Sequence, residues 1–306
     1  MKIIISILFV LASMTASTVQ SQDLNTAKSA VSTLESLSNS IPGLTKVIDG
    51  FNYGPFKIVT QCTICVEHVI WCVETKTYTY TWKFPAYTDY MGNFKSGNLQ
   101  LLSDIHAFNQ YYTPLRQWFV STLPQVTQSM ETLKNSTSGN IQANLKAAIS
   151  EVSSAKSSFT ASMNAIGQWN TTIINDFNHI NTNKANLQAT MNADEAHIKK
   201  YMSTMACGSQ NLLDQWKSMA ASTNNQVSSF ANTLVQSGIS TPAINQDLAA
   251  IQGPLVTILD KLNGLSSELQ KGATTPNQAM KKLDSIIAVG FWNSLTQYVQ
   301  KKFGNS

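Results

Sequence analysis

The sequence predicts a mainly α protein, an elongated antiparallel helical bundle with a very long central helix and a small antiparallel β module near the N-terminus. The first observation behind this is a proline-free run from Ile141 to Met205 with an apolar residue at every third or fourth place. Its stripe is Ile141, Leu145, Ile149, Val152, Ala155, Phe159, Met163, Ile166, Trp169, Ile173, Phe177, Ile180, Leu187, Met191, Ile198, Tyr201 and Met205. At 1.5 Å per residue, a straight helix of that length is a rod on the order of 100 Å. The second observation is strict alternation: Tyr78, Tyr80, Trp82 and Phe84 interleave with Thr77, Thr79, Thr81 and Lys83, the period-two pattern of a strand with one aromatic and one polar face. The third is that everything after Leu99 returns to helical spacing. Such helices are stable in water only when their apolar faces cover one another, and steps of three and four suit near-parallel, coiled-coil-like packing.

Taken in order, residues 1–21 have the layout of a secretory signal peptide. Lys2 is the basic start, Ile3 to Ala12 (interrupted by Ser6) the apolar run, and Val19-Gln20-Ser21 a cleavage site before Gln22. The apolar run is too short to span a bilayer, which takes about twenty residues. Residues 22–55 read as short N-terminal helices. One carries Leu24, Ala27, Val31, Leu34 and Leu37 and ends at Ile41-Pro42-Gly43; a second runs from Leu44 to Phe51, before Asn52-Tyr53-Gly54-Pro55. Residues 56–98 form the disulfide-containing β module. A small antiparallel sheet of two or three strands is expected from Phe56 to Thr63, Cys65 to Val73 and Thr77 to Phe84, with Glu74-Thr75-Lys76 as a turn. Residues 99–306 make the bundle. Pro114 suits a helix start, Pro124 and Pro254 are expected kinks, a weakened stripe at Thr182-Asn183-Lys184 is an expected break, and Thr275-Pro276 opens the last helix.

Charged residues are 12% of the chain and the net charge is +4, with Arg116 the lone arginine. No basic run follows a phosphate backbone, so nucleic acid is excluded as a partner. HExxH, GxSxG and phosphate-loop patterns are absent from the sequence, so no enzyme and no cofactor are predicted. Asp194 and His197 share a helical face, as an acid and a base might, but such neighbours are ordinarily a surface contact.

The four cysteines, Cys62, Cys65, Cys72 and Cys207, read as two disulfides in an exported chain. Any pairing that uses all four ties the β module to the end of the long helix. Cys62, Cys65, His68 and Cys72 also have ligand types for zinc, a reading the oxidising compartment disfavours. Two glycosylation sequons begin at Asn135, in an expected turn, and at Asn170, inside the long helix. The aromatic ladder Tyr78, Tyr80, Trp82 and Phe84 is the candidate interaction surface; its competing role is to fasten the sheet to the bundle.

The lead functional expectation is therefore a secreted, extracellular, disulfide-stabilised helical glycoprotein. It would act without catalysis, through adhesion, recognition or a structural role, on an extracellular or cell-surface protein or glycan. The alternative comes from layout. Long helices with a short β-rich insertion at residues 56–84 resemble the α-helical pore-forming cytolysins, and the resemblance implies membrane contact through a β-tongue. The feature that separates the two is a contiguous exposed apolar patch around Val66 to Val73.

Overall fold

The computed structural model describes residues 2–54, 57–68, 71–202, 210–237 and 244–303. It is mainly helical, with a very long helix and a two-stranded antiparallel sheet near the N-terminus, as the patterning predicts. The elements are α1 (Lys2–Asp49), β1 (Ile58–His68), β2 (Cys72–Trp82), α2 (Pro85–His106), α3 (Phe108–Gln117), a π-helical turn (Trp118–Thr122), α4 (Leu123–Lys134), α5 (Ile141–Met202), α6 (Gln210–Gln236), α7 (Ile244–Gln270), α8 (Pro276–Ile286) and α9 (Val289–Phe303).

Helix α5 is 62 residues long and unbroken, including at Thr182-Asn183-Lys184 where a break was expected. From Leu145 to Ile173 its buried positions step alternately by three and four: Leu145, Ala148, Val152, Ala155, Phe159, Ser162, Ile166, Trp169, Ile173. Two consecutive four-residue steps, Ile173 to Phe177 and the one from Trp169 to Ile173, then shift the seam, which continues through Ile180, Leu187, Asp194 and Ile198. Such an insertion into a heptad pattern is a stutter, which locally unwinds the seam. It falls where the chain divides into two compact units, residues 1–39, 107–171 and 241–306 in one, and 40–106 and 172–240 in the other.

Helix α1 is continuous where two short helices were expected, with Pro42 inside it. The buried stripe Leu34, Leu37, Leu44, Ile48 keeps helical spacing across the proline, while Pro42 itself lies on the exposed face. Burial on one side thus outweighs the single hydrogen bond that proline removes on the other. Pro124 has no N–H for the carbonyl of Val120, and the preceding turn widens into the π-helical segment Trp118–Thr122. The expected last helix is divided at Ala288, whose φ of 43° is a left-handed value, into α8 and α9. Helix α8 starts with a reciprocal cap, Thr275 accepting from the Gln278 backbone while the Gln278 side chain accepts from the Thr275 N–H.

The first unit is centred on α5 residues and aromatic rings. Trp118 donates through Nε1 to the Ala155 carbonyl at 2.9 Å and packs on Phe159 at 4.6 Å between centroids; Phe108 meets Trp169 at 4.7 Å. The Thr127 and Thr296 hydroxyls pair at 2.8 Å in the contact between α4 and α9.

The second unit has its own aromatic core. Phe84 stacks on Trp216 at 4.4 Å, Tyr87 meets the same indole edge-on at 5.6 Å, and Phe51, Phe94 and Phe230 form a separate triangle. The seam between α2 and α5 is close. A Cβ on Gly97 would lie 2.9 Å from Nδ1 of the exposed His179, so a larger residue there would have to displace that ring. Further along, Asp104 and Asp176 share a side-chain hydrogen bond; Asp176 Oδ2 is buried without another partner. Burial and the neighbouring Asp104 raise the Asp176 carboxyl from its ordinary 3.8 to about 7.

Two predictions follow from these contacts. Trp216→Ala empties the centre of the second unit's core and is expected to cost about 3–5 kcal/mol in denaturant unfolding; an unchanged midpoint would show that the indole is not structural. Asp176 is protonated in the fold at pH values where the unfolded chain is ionised. Its contribution therefore weakens as pH rises from about 4 towards 7. Asp176→Asn, which holds the hydrogen bond without needing a proton, is expected to stabilise at pH 8 by on the order of 1 kcal/mol after solvent screening. The gain should vanish near pH 4, and thermal melts at both values test the sign.

Candidate functional site

The β-hairpin at residues 58–82 is the part of the second unit least like a core. Its strands pair antiparallel with Ile58 opposite Trp82, Thr60 opposite Tyr80, Cys62 opposite Tyr78 and Ile64 opposite Lys76. The register is regular up to Cys65 opposite Thr75, then shifts through Glu67 and His68 to close on Cys72. Glu74-Thr75-Lys76, expected to turn, lies inside β2 instead. The reversal falls between His68 and Cys72, where the disulfide Cys65–Cys72 joins the strands with a Cα separation of 5.6 Å. Strand propensity of the Val- and Thr-rich flanks prevails over the polar triplet, and the bridge holds the ends of the true turn together.

Period two sorts the hairpin into faces. Ile58, Thr60, Cys62 and Ile64 share one with Tyr78, Tyr80 and Trp82; these side chains are buried or half-buried, and β1 packs against α6. Trp82 Nε1 donates to Thr60 Oγ1 at 3.1 Å, and Tyr78 stacks on Tyr80 at 6.4 Å. The other face carries Val59, Gln61, Thr63, Thr75, Thr77, Thr79 and Thr81, all exposed, with Thr63 and Thr77 hydroxyls 2.8 Å apart. From Ile58 to Val66 and from Thr77 to Trp82 the ribbon holds no charged residue; Lys57 and Lys83 flank its base.

Exposure rises steeply along the ribbon. At the base, Ile58 is 7% exposed and Phe84 1%; near the tip, Val66 is 45% and Trp71 74% exposed. By contrast Trp118, Trp169, Trp216 and Trp292 are each 3% exposed or less.

The base is fixed by a residue that local sequence reasoning misses. Helix α2 begins at Pro85, which has no N–H, after Phe84, which has no capping group. Asp194 of α5, 3% exposed, supplies the acceptor: its Oδ2 takes the Tyr87 N–H at 2.9 Å, and the carboxylate also accepts from Ala86. A carboxylate here satisfies otherwise orphaned amides and faces the positive end of the helix. Burial still pushes the Asp194 pKa up, against those hydrogen bonds and His197, which lower it. Tyr87, its phenol raised by burial to about 12, remains a neutral donor to Thr223 Oγ1 at 2.7 Å. Asp194 thus holds a helix start, while His197 packs on Tyr201. The signal for it in the sequence was indirect: a helix opening on Phe-Pro with no local cap.

Of the other residues singled out by sequence, Cys65 and Cys72 are bonded to each other and Cys62 is disulfide-bonded as well, which leaves these sulfurs unavailable to zinc. Cys207 lies outside the described residues. Tyr78, Tyr80 and Trp82 keep part of their surface, whereas Phe84 is a core residue. Asn135 is exposed just after α4, and Asn170 is 5% exposed within α5, where a glycan has no room. Among the described residues no helix is long and apolar enough to cross a membrane, and no group of three or more His, Cys, Asp or Glu could hold a metal.

No protein-family model matches the chain, and no curated protein matches its sequence. Solved structures do. The SmhB pore of the tripartite α-pore-forming toxin Smh from Serratia marcescens superposes with a TM-score of 0.61 at 11% identity, over 93% of this chain and 99% of that one. Soluble SmhB from the same toxin gives 0.54 at 11% identity, over 92% of each chain. The chain therefore shares its fold with SmhB, a component of a helical pore-forming toxin. This corrects the lead functional expectation of an adhesion or recognition protein. The architecture, along nearly its whole length, is shared with toxin subunits, and the alternative drawn from layout is the one the comparison backs.

Asp194→Ala is expected to destabilise the second unit by about 1–3 kcal/mol, because two buried amides lose their acceptor. Amide hydrogen exchange at Ala86 and Tyr87 should accelerate in this variant, and unchanged protection there would refute the capping role.

Proposed function

We propose that this protein is an exported, non-enzymatic subunit of an α-helical pore-forming toxin, and that the hairpin at residues 58–82 is the element that meets the target membrane. The observation that carries the reading is the exposure gradient on a ribbon free of charge over most of its length, with Trp71 and Val66 at the outer end. Val66 and Trp71 flank the two bridged cysteines, and tryptophan is enriched between lipid headgroups and acyl chains.

The fold supports this reading, as does the signal-like start of the chain: Lys2, then the apolar run from Ile3 to Ala12. Smh is tripartite by description, and by analogy this chain acts with further toxin subunits as partners. Low surface charge and amide- and hydroxyl-rich helix faces suit a subunit that leaves water-facing packing for helix–helix contacts with copies or partners. The exposed sequon at Asn135 accepts a glycan if the producing cell glycosylates exported proteins.

Dye-loaded liposomes and intact cells test the reading. The intact chain at micromolar concentration is expected to release dye, and a variant with residues 58–82 replaced by a short Gly-Ser connection is expected to release none while keeping its helical circular dichroism. Permeabilisation by the hairpin-free variant would remove the hairpin from the mechanism. Absence of permeabilisation by the intact chain would overturn pore formation without partner subunits, and absence of membrane binding on both membranes as well would overturn the toxin reading itself.

A further inference from the structure

We infer that the outer edge of β2 is a docking surface for the same strand of a second copy of this chain, so that two hairpins pair side by side in water. Among the described residues β2 pairs with β1 and with no other strand. A strand so placed turns every second N–H and C=O away from its neighbour, and such a row is a template for a further strand. Proteins ordinarily spoil an open edge with proline, a bulge or several charges. None of these interrupts residues 75–82. The pairing with β1 is regular from Thr75 to Trp82, the segment has no proline, and Lys76 is its one charge. Thr75, Thr77, Thr79 and Thr81 are all exposed.

The order of side chains says what the edge accepts. Thr77-Tyr78-Thr79-Tyr80-Thr81 reads the same in both directions. In a two-fold contact, residue i meets residue j and residue j meets residue i, and antiparallel pairing of β2 with its own copy about Thr79 obeys that rule. Thr79 then faces its own counterpart, Thr77 faces Thr81, Tyr78 faces Tyr80 and Lys76 faces Trp82. Directly opposed residues share a face of the sheet, so hydroxyls meet hydroxyls and rings meet rings. The ribbon already makes contacts of both kinds, Thr63 with Thr77 at 2.8 Å and Tyr78 against Tyr80 at 6.4 Å. Lys76, whose Nζ lies 5.4 Å from the Tyr78 ring centroid, gains an indole as a second cation–π partner. Moving the axis to Tyr78 would set the Glu74 carboxylate against Trp82, and moving it to Tyr80 would set Lys83 against Thr77, so Thr79 is the favoured centre. A strand from an unrelated protein would need no such symmetry in β2. Antiparallel pairing points the two hairpins in opposite directions. The dimer is therefore a form held in water, and under the membrane reading above it parts before a hairpin meets a bilayer.

Sedimentation velocity of the full chain over a micromolar concentration series tests the contact. No membrane is present, so its failure leaves the toxin reading standing, and failure of the liposome assay leaves the dimer standing. The intact chain is expected to dimerise. Thr79→Lys sets a charge against its own counterpart and is expected to weaken the dimer about tenfold, and Thr77→Lys to weaken it comparably. Adding Thr81→Glu to Thr77→Lys is expected to restore association, because each lysine then faces a glutamate of the other copy; that repair also shows that the single variant was folded. A monomer at every concentration, a dimer indifferent to Thr79→Lys, or a Thr77→Lys defect that Thr81→Glu leaves unrepaired would overturn the proposal.

Discussion

A helix of 62 residues cannot be stable in water on propensity alone, and the need to cover its apolar stripe constrains everything else in this chain. Propagation adds little per residue, and the polar faces here are Ser, Thr, Asn and Gln rather than the ion pairs that support solitary helices. The remaining helices are accordingly amphipathic, and α5 contributes a stretch to each of the two compact units. The change of seam phase after Ile173 is where a strict repeat would have put position 176 in the seam. That position is an aspartate, half-buried and sharing a proton-dependent contact with Asp104. A carboxyl pair is tolerated there because the shifted stripe no longer requires an apolar side chain, and the pair makes that stretch of the α2–α5 seam sensitive to pH.

The second unit distributes its stabilising contacts unevenly, and that unevenness is what makes a functional reading possible. Around the hairpin base, Phe84, Tyr87 and Trp216 interlock, Asp194 holds the first free amides of α2, and the Phe51, Phe94 and Phe230 cluster closes the approach from α1. Towards the tip the ribbon relies on cross-strand pairing and the Cys65–Cys72 disulfide, with Cys62 disulfide-bonded further down β1. A two-stranded ribbon is marginal in water without a covered face. The half-buried aromatic face meets that need near the base, and the bridge does so near the tip, where β1 has no comparable cover. The chain thus fixes the base of the hairpin firmly and leaves Val66 and Trp71 exposed towards its other end.

Much of this was legible in the sequence because burial imposes periodicity. The stripe from Ile141 to Ile198 and the aromatic alternation from Tyr78 to Phe84 are direct records of which side faces a core. The misreadings share a physical cause, in that each depends on a partner far along the chain. Pro42 looks like a helix end until the continuous burial of Leu37 and Leu44 is known. Ile149 looks like a seam residue, yet Ala148 is the one buried, since a close helix approach prefers the smaller side chain. Glu74-Thr75-Lys76 looks like a turn until Cys65 and Cys72 are joined. Asp194 looks like a surface acid until the uncapped start of α2, 107 residues away, is brought against it.

The misjudged function has the same origin. Missing catalytic motifs, cysteines and a signal-like N-terminus are equally compatible with a secreted adhesin and with a protein that attacks membranes, so composition alone could not separate them. What separates them is the fold, which along nearly the whole chain is shared with SmhB; of the segment from Val66 to Val73, residues 69–70 lie outside the described residues. Val66 and Trp71 are unremarkable as letters in a β-rich stretch, and four of the six tryptophans in the chain are indeed core residues. Only when the strands are paired and the ring is closed does Trp71 emerge as the exception, an indole left at the end of a ribbon whose opposite end is locked into a protein core. A stationary recognition surface would gain from being flat, rigid and polar at its rim. An apolar side chain at the extremity of a narrow projection suits a partner that has depth, and a lipid bilayer is such a partner.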